Sequence, residues 1–439
     1  MTSSTFTRRG FMGVVGAAGL AGALAGCSNG SSGSGGSSGS GSAALQVAQW
    51  GDATRAGLYK QALKLFTDAH AGTTATLQYA DLNPYLERLA TQSAAGNLPD
   101  VLWMRDTHIG RYGQAKVLLD YTPYLDKTIL TADLGKQAVP DGKIGDGVYA
   151  LPTHYVGQCV MGNGTALDKK GIKLTDIETW DDLAKAAKEL SDPSNGFYGL
   201  TDTSVSASTH RDVEAWIRQH GEELFTPGGG PGFTADTLAS YFSYFDQLRK
   251  AGALPPPDVE TQADAGGGST GLLVTGKAAL AQESSNHLTS NQNLTKIPLE
   301  MTSLVAAKDA SQDWWFFPPI LISASSKTKN PEIVAQLINF FLNDVAAAKI
   351  TGLNEGAPSS SKILDALLPS LNATDKIFVS QIRLEQGYPS RPSPIRPQGA
   401  SQLDTIISLA GQQIAYGKAS ISQAVADLMA SAQKALPVS

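Results

Sequence analysis

A strand-type run, a turn and an amphipathic helix follow one another repeatedly along this chain, and that alternation restricts its fold more than any other feature. Residues 45–50 read as a short strand, Gly51-Asp52-Ala53-Thr54 as a turn with an N-cap, and Leu58, Ala62, Leu65 and Ala69 fall at helical spacing. The unit then recurs. Residues 73–79 read as a strand, 84–95 as a helix with Leu86, Leu89 and Ala90 inward and Gly96 at its end, and 99–104 as a buried strand. Strands and helices in this order predict an α/β sheet with helices on its faces. Thr179 and Asp182 predict a capping box ahead of Leu183, Ala186, Ala187 and Leu190, and Ser420 with Gln423 predicts another before Ala424, Val425 and Leu428. Asn330-Pro331 opens a helix carrying Val334, Leu337, Ile338 and Phe341. Clusters of Gly and Pro at 227–232 and 255–257 and the Gly-rich run at 266–271 read as loops, and none has the GxxxxGK[ST] spacing of a phosphate cradle.

The N-terminus is of a different kind. Arg8-Arg9-Gly10-Phe11-Met12 leads into an uncharged Gly/Ala-rich stretch, and it resembles a twin-arginine export signal, with Gly13 where that pattern usually has lysine. Leu24-Ala25-Gly26-Cys27 resembles the lipobox of bacterial lipoproteins, in which small residues expose a thiol for acylation. Residues 1–26 are therefore expected to be a signal peptide, Cys27 a lipidation site, and 27–44 a lipid-anchored Gly/Ser tether with a reach of about 20 Å. Loss of 1–26 removes Arg8 and Arg9 and no acid, which moves the formal charge from -6 to -8. An acidic chain without a Lys/Arg cluster is not expected to bind nucleic acid. No run of eighteen strongly apolar residues suggests a membrane span in the body. Cys159, the other cysteine, reads as a buried thiol.

The body resembles the extracellular solute-binding proteins of ABC importers, in the group that includes maltose-binding and other sugar-binding proteins. The resemblance runs in order through Asn97-Leu98-Pro99-Asp100-Val101-Leu102-Trp103 with residues 113–120 (GQAKVLLD), Gly147-Val148-Tyr149-Ala150-Leu151-Pro152, residues 178–183 (ETWDDL), Gly276-Lys277-Ala278-Ala279-Leu280, and Ile322-Ser323-Ala324-Ser325-Ser326-Lys327. It implies a two-lobe periplasmic-binding-protein-like α/β fold with a hinge and a ligand cleft at the lobe interface. Carried over, lobe one comprises 45–151 and 300–342, lobe two 155–297 and 345–439. The crossings should fall near 152–155 and 299–305. Relatives often have Gly-Pro-Trp after Gly276-Lys277-Ala278-Ala279-Leu280, where this chain has Glu283-Ser284-Ser285-Asn286-His287, so a stacking aromatic is missing from that corner.

A sugar presents apolar CH faces and hydroxyl edges, so its cleft needs flat aromatics together with carboxylates, amides or guanidinium groups, placed at the carboxyl ends of strands. The candidates are Asp52, equally an N-cap; Trp103, equally core; and Asp106, equally a solvated charge. Tyr155, beside His154 at the first crossing, is cleft or hinge packing. Asp212 and Trp216 open the helical stretch 211–224, with Trp216 as readily core. Of Trp314 and Trp315, one is expected to reach the cleft, and Trp315 is slightly favoured. Glu283, Asn286 and Glu355 lie in polar loops, and Arg391 and Arg396 in a Pro-rich segment supply guanidinium donors or surface charge.

No G-x-S-x-G elbow, HExxH helix or Cys/His metal set occurs in the sequence. The chain is therefore expected to be a binding protein rather than an enzyme, without catalytic residues, metal or cofactor. Its expected partners are a carbohydrate, the permease subunits of an ABC transporter and, through Cys27, the membrane, with the chain itself a monomer. The alternatives are a glycoside-acting enzyme, and a solute-binding protein for a polyamine or metal complex.

Overall fold

The computed structural model describes residues 42–206, 210–266, 268–315, 319–391, 394, 396–397 and 399–436. The expected signal peptide, Cys27 and residues 28–41 of the tether lie outside the described residues.

The first sheet grows outward from β1 (Ala43–Trp50), whose Leu45 and Val47 are buried on its core face. β1 pairs in parallel with β2 (Thr73–Ala80) on one side and β3 (Val101–Arg105) on the other, the right-handed pattern that intervening helices permit. A small antiparallel hairpin, β4 (Lys143–Ile144) with β5 (Gly147–Val148), precedes β6 (Ala150–Tyr155). Two later strands, β11 (Pro319–Ala324) and β12 (Ala357–Pro358), complete a sheet of order β12-β6-β11-β3-β1-β2. The second sheet consists of β7 (Gln158–Asn163), β8 (Tyr198–Leu200), β9 (Ala278–Ser284) and β10 (Leu299–Ser303) in the order β10-β7-β9-β8. Each sheet has its own helical cover, and the result is the two-lobe α/β architecture.

Both capping boxes form, Thr179 with Asp182 and Ser420 with Gln423. Asn330 precedes its helix without a side-chain cap bond, and Pro331 at the first turn begins it. The first helix, Ala53–Ala69, buries Ala62 as expected, but its core face is otherwise rotated: Tyr59, Leu63 and Phe66 face the core and Leu65 is 37% exposed. The aromatic rings decide this. Tyr59 packs edge-on against Trp103 and stacks with Phe341, and Phe66 meets Phe340.

The chain crosses between sheets at Val156-Gly157, just past the expected 152–155. Gly157 allows close packing against the Glu385 side chain there. A Cβ would lie 2.4 Å from a carboxylate oxygen of Glu385, and the Gly157 amide donates to Ser285 Oγ at 2.9 Å. The second crossing comes later than expected. β10 pairs antiparallel with β7, Met301 opposite Met161, so residues 300–303 belong with the second sheet, and the return to the first sheet is β11. Residues 345–358 also differ from the expected division. The helix Val345–Thr351 packs on Ala53–Ala69, and β12 pairs with β6, Ala357 opposite Tyr155, which keeps this stretch with the first lobe. Cys159 is a fully buried free thiol whose Sγ donates to the Glu283 carbonyl at 3.2 Å.

Candidate functional site

A cavity of about 610 Å³ lies between the lobes, within the size range of small-molecule sites. On the first-lobe side its lining comes from strand ends: Trp50 closes β1, Arg105 closes β3, and Pro319 and Ile320 begin the antiparallel β11. Val156 of the crossing lies between the walls. The second lobe contributes Gln158 at the start of β7, Thr201 and Thr203 just after β8, Gln282, Glu283 and Ser284 at the end of β9, and Asp212, Glu260 and Asp264 from three further positions. The carboxyl edges of the parallel strands β1 and β3 thus face into the gap, as open α/β sheets dictate.

Among the described residues, Trp50 supplies the indole of this lining. It sits edge-on to Tyr85, with centroids 5.8 Å apart at 62°, and the Tyr85 hydroxyl lies 2.7 Å from the Trp103 carbonyl and 3.1 Å from that of Ala48. The indole is therefore backed by a ring tied to the strand backbone.

Asp106 begins the helix Asp106–Gln114 and joins the two lobes. Its carboxylate accepts from Arg211 Nη2 at 2.9 Å and Nη1 at 3.1 Å, and from Arg396 Nε at 2.7 Å. Burial alone would raise the Asp106 carboxyl, but the two guanidinium groups overcome it and hold the group well below the usual carboxylate range. Arg396 also donates to Glu214 at 2.6 Å. Arg105 has no hydrogen bond or ion pair among the described residues, and its guanidinium is lowered by burial and by the neighbouring Arg211.

The second-lobe wall carries the opposite charge. Asp212 is 4% exposed and its Oδ1 has no hydrogen-bond partner, nor has Nε2 of Gln282, which is 5% exposed. Burial, with the charge of Glu283, pushes Asp212 up to about 7. Glu260 accepts from the Asp202 amide at 2.8 Å, yet burial and the neighbouring Asp264, Asp202 and Glu283 bring it to about 8. Glu283 Oε2 lies 2.8 Å from His287 Nδ1. Among the described residues no group of three or more His, Cys, Asp or Glu is placed to hold a metal ion.

Of the candidates read from the sequence, Asp106, Asp212, Glu283 and Asn286 line the cavity, and Arg396 reaches it through Asp106. The others lie elsewhere. Asp52 caps the first helix, accepting from the Arg55 amide at 2.8 Å. Trp103 is fully buried between Tyr59 and Phe341. Tyr155 donates to Asp141 at 2.8 Å, behind the crossing. Trp216 packs among Trp180, Tyr241 and Tyr244, with its indole donating to Ser240 at 3.0 Å. Trp315 is 3% exposed against Tyr388 in the second-lobe core, and Trp314 is paired with Ser390 beside it, so neither indole faces the cavity. Glu355 is locked inside the first lobe by Gln49 at 2.6 Å and Tyr59 at 2.8 Å; burial would raise it, but His154 and Arg55 hold it below its ordinary value. Arg391 binds Glu223, Asp313 and the carbonyls of Arg218 and Glu222. The sequence reading missed Trp50, Arg105, Arg211, Glu260, Asp264 and Gln282. Trp50 had a legible signal as the last residue of a predicted strand, and Arg105 as the first residue beyond one.

Two α/β lobes joined by three chain crossings, with a polar cavity between them, define a two-lobe binding protein. A family model for bacterial extracellular solute-binding proteins matches residues 61–374, and the chain belongs to that family, which places it outside the cytoplasm. The arabinooligosaccharide-binding protein of Halalkalibacterium halodurans is 28% identical over 89 residues, 20% of this chain and 19% of that protein, so the chain matches about a fifth of that relative's length. An extracellular solute-binding protein family 1 from Alicyclobacillus acidocaldarius superposes with a TM-score of 0.71 at 26% identity, over 90% of this chain and 99% of that one. An ABC substrate-binding protein from Listeria monocytogenes, in complex with cycloalternan, has the same fold at 18% identity, with a TM-score of 0.74 over 89% and 98% of the two chains.

Proposed function

We propose that this protein captures a carbohydrate in the interlobe cavity and hands it to the permease of an ABC importer, without covalent chemistry. The observation that carries this reading is the pairing of an indole, Trp50, with a wall of hydrogen-bonding side chains in one cavity. An aromatic face suits the CH surface of a pyranose, and carboxylates and amides suit its hydroxyl edge. The relatives from Halalkalibacterium and Listeria, one named for an oligosaccharide and one holding a cyclic one, support a saccharide over an amino acid or metal complex. Cys27 carries the lipid that tethers the protein to the outer face of the cell membrane, and the protein acts as a monomer. Thermal-shift screening of mono- and oligosaccharides against residues 45–439 tests the proposal. A saccharide that raises the melting temperature and titrates by calorimetry is expected. A response only to amino acids, peptides or metals would remove the carbohydrate reading.

A further inference from the structure

The second-lobe wall of the cavity carries four carboxyl groups, Asp212, Glu260, Asp264 and Glu283. Their neighbours supply little positive charge, and burial holds Asp212 and Glu260 at about 7 and 8, so a cation entering the cavity would draw them into the ionised form. Glu283 meets the His287 ring, and Glu260 and Asp264 meet only neutral donors, the Asp202 amide and Ser206. The buried Asp202 behind them spends its charge on Arg249 at 2.5 Å. Arg211, next in sequence to Asp212, turns away to Asp106 of the other lobe. Arg105 stands at the first-lobe end, with Arg211 and Asp106 as its electrostatic neighbours.

Asp212 adds a second, independent observation. It is a carboxyl group more than nine-tenths buried, it lines the cavity, and although Thr203 lies within hydrogen-bond reach of the group, its Oδ1 accepts from nothing. A buried acceptor without a donor is costly and indicates a donor supplied from outside the chain. The four groups do not converge on a point that would chelate a metal, since no such group of three exists among the described residues. Charge spread along a wall suits an extended ligand with its positive groups on a backbone, not a bare ion.

We infer that the ligand is an amine-bearing saccharide, whose ammonium groups are received by Asp212 and Glu283 while a sugar ring lies on Trp50. This rests on the carbohydrate reading above and narrows it. An ammonium group supplies the missing donor to Asp212 Oδ1, and the unpartnered Gln282 amide beside it donates to an adjacent hydroxyl. Charge-assisted bonds of this kind are about twice as strong as neutral ones.

Isothermal titration of a glucosamine oligomer, its N-acetylated counterpart and spermidine against the mature chain at pH 7 tests the inference. The free-amine oligomer should bind at least about tenfold more tightly than the N-acetylated one. Asp212→Asn, close in shape, should bring the two within about threefold of each other, chiefly by weakening the free-amine oligomer, and Glu283→Gln, at the cavity rim, should act in the same direction. Equal or tighter binding of the N-acetylated oligomer would overturn the amine inference and leave the carbohydrate reading standing. Binding of spermidine with no saccharide binding would overturn both.

Discussion

Asp106→Asn is the perturbation whose consequence is most directly set by the geometry. The carboxylate of a first-lobe helix accepts three bonds, at 2.7, 2.9 and 3.1 Å, from two arginines of the second lobe. Bonds to charged groups contribute about 1.5–3 kcal/mol each, and breaking a buried ion pair costs about 3–5 kcal/mol. Asparagine keeps one acceptor oxygen and loses the charge, so about 3 kcal/mol is the expected loss. Arg211 and Arg396 then keep Glu214, at 3.7 and 2.6 Å, and the more distant charge of Asp404, and repel one another more strongly. A loss of that size shifts the equilibrium between joined and separated lobes by about 150-fold. Small-angle scattering of the ligand-free protein, or energy transfer between dyes on the two lobes, should report a more open variant with weaker ligand binding. The sign with pH is also determined. Because the Asp106 carboxyl is depressed, its contribution is full above the unfolded value of about 4 and declines only as pH falls toward the folded one. Wild-type dimensions should therefore be the same at pH 7 and pH 5. Identical dimensions and affinity in wild type and variant would refute a bridging role for this carboxylate.

Other tests are simpler. Trp50→Ala should weaken saccharide binding by about 1–3 kcal/mol with a small effect on stability, whereas Trp315→Ala, in the second-lobe core, should lower stability by about 3–5 kcal/mol and leave binding to the folded fraction intact; calorimetry and chemical denaturation of both variants separate the two roles. Asp212 and Glu260, raised to about 7 and 8, bind their protons more tightly folded than unfolded, so the stability they contribute is full below about pH 4 and is lost as pH rises through 7 to 8. The melting temperature of the ligand-free protein should accordingly fall between pH 6 and 8.5, and a rise would contradict that assignment. Cys27→Ser should move the protein from the membrane fraction to the soluble one, and continued membrane association would refute the lipid anchor.

Much of the fold was legible because its signals are local. The capping boxes at Thr179 and Ser420 form as read, since each needs only two side chains three residues apart. β2 and β3 appear within a few residues of their predicted places. The first helix's core face was only partly read, Ala62 inward but Tyr59 and Phe66 missed, because aliphatic spacing was counted without the aromatic partners, Trp103 and Phe341, that come from distant chain segments. The lobe boundary failed at β10 for a similar reason: pairing with β7 across more than 130 residues decides which sheet receives it.

The same division applies to the site. Residue chemistry together with strand-end position and family resemblance marked Asp106, Asp212, Glu283 and Asn286, all of which lie in the cavity lining. Tryptophans were another matter. An indole at a strand end and one inside a strand have the same composition, and only the packing of separate segments sends Trp103 and Trp315 into cores and leaves Trp50 on the gap. Glu355 and Arg391 were chosen as polar loop residues, and the tertiary structure uses their charges internally. By itself the sequence determined the α/β alternation, the helix starts and the export address expected of its N-terminus, because these depend on neighbours in the chain. Which charges pair, which aromatic faces the cavity and where the lobes exchange strands were decided by tertiary structure, because each depends on groups brought together from a hundred or more residues away.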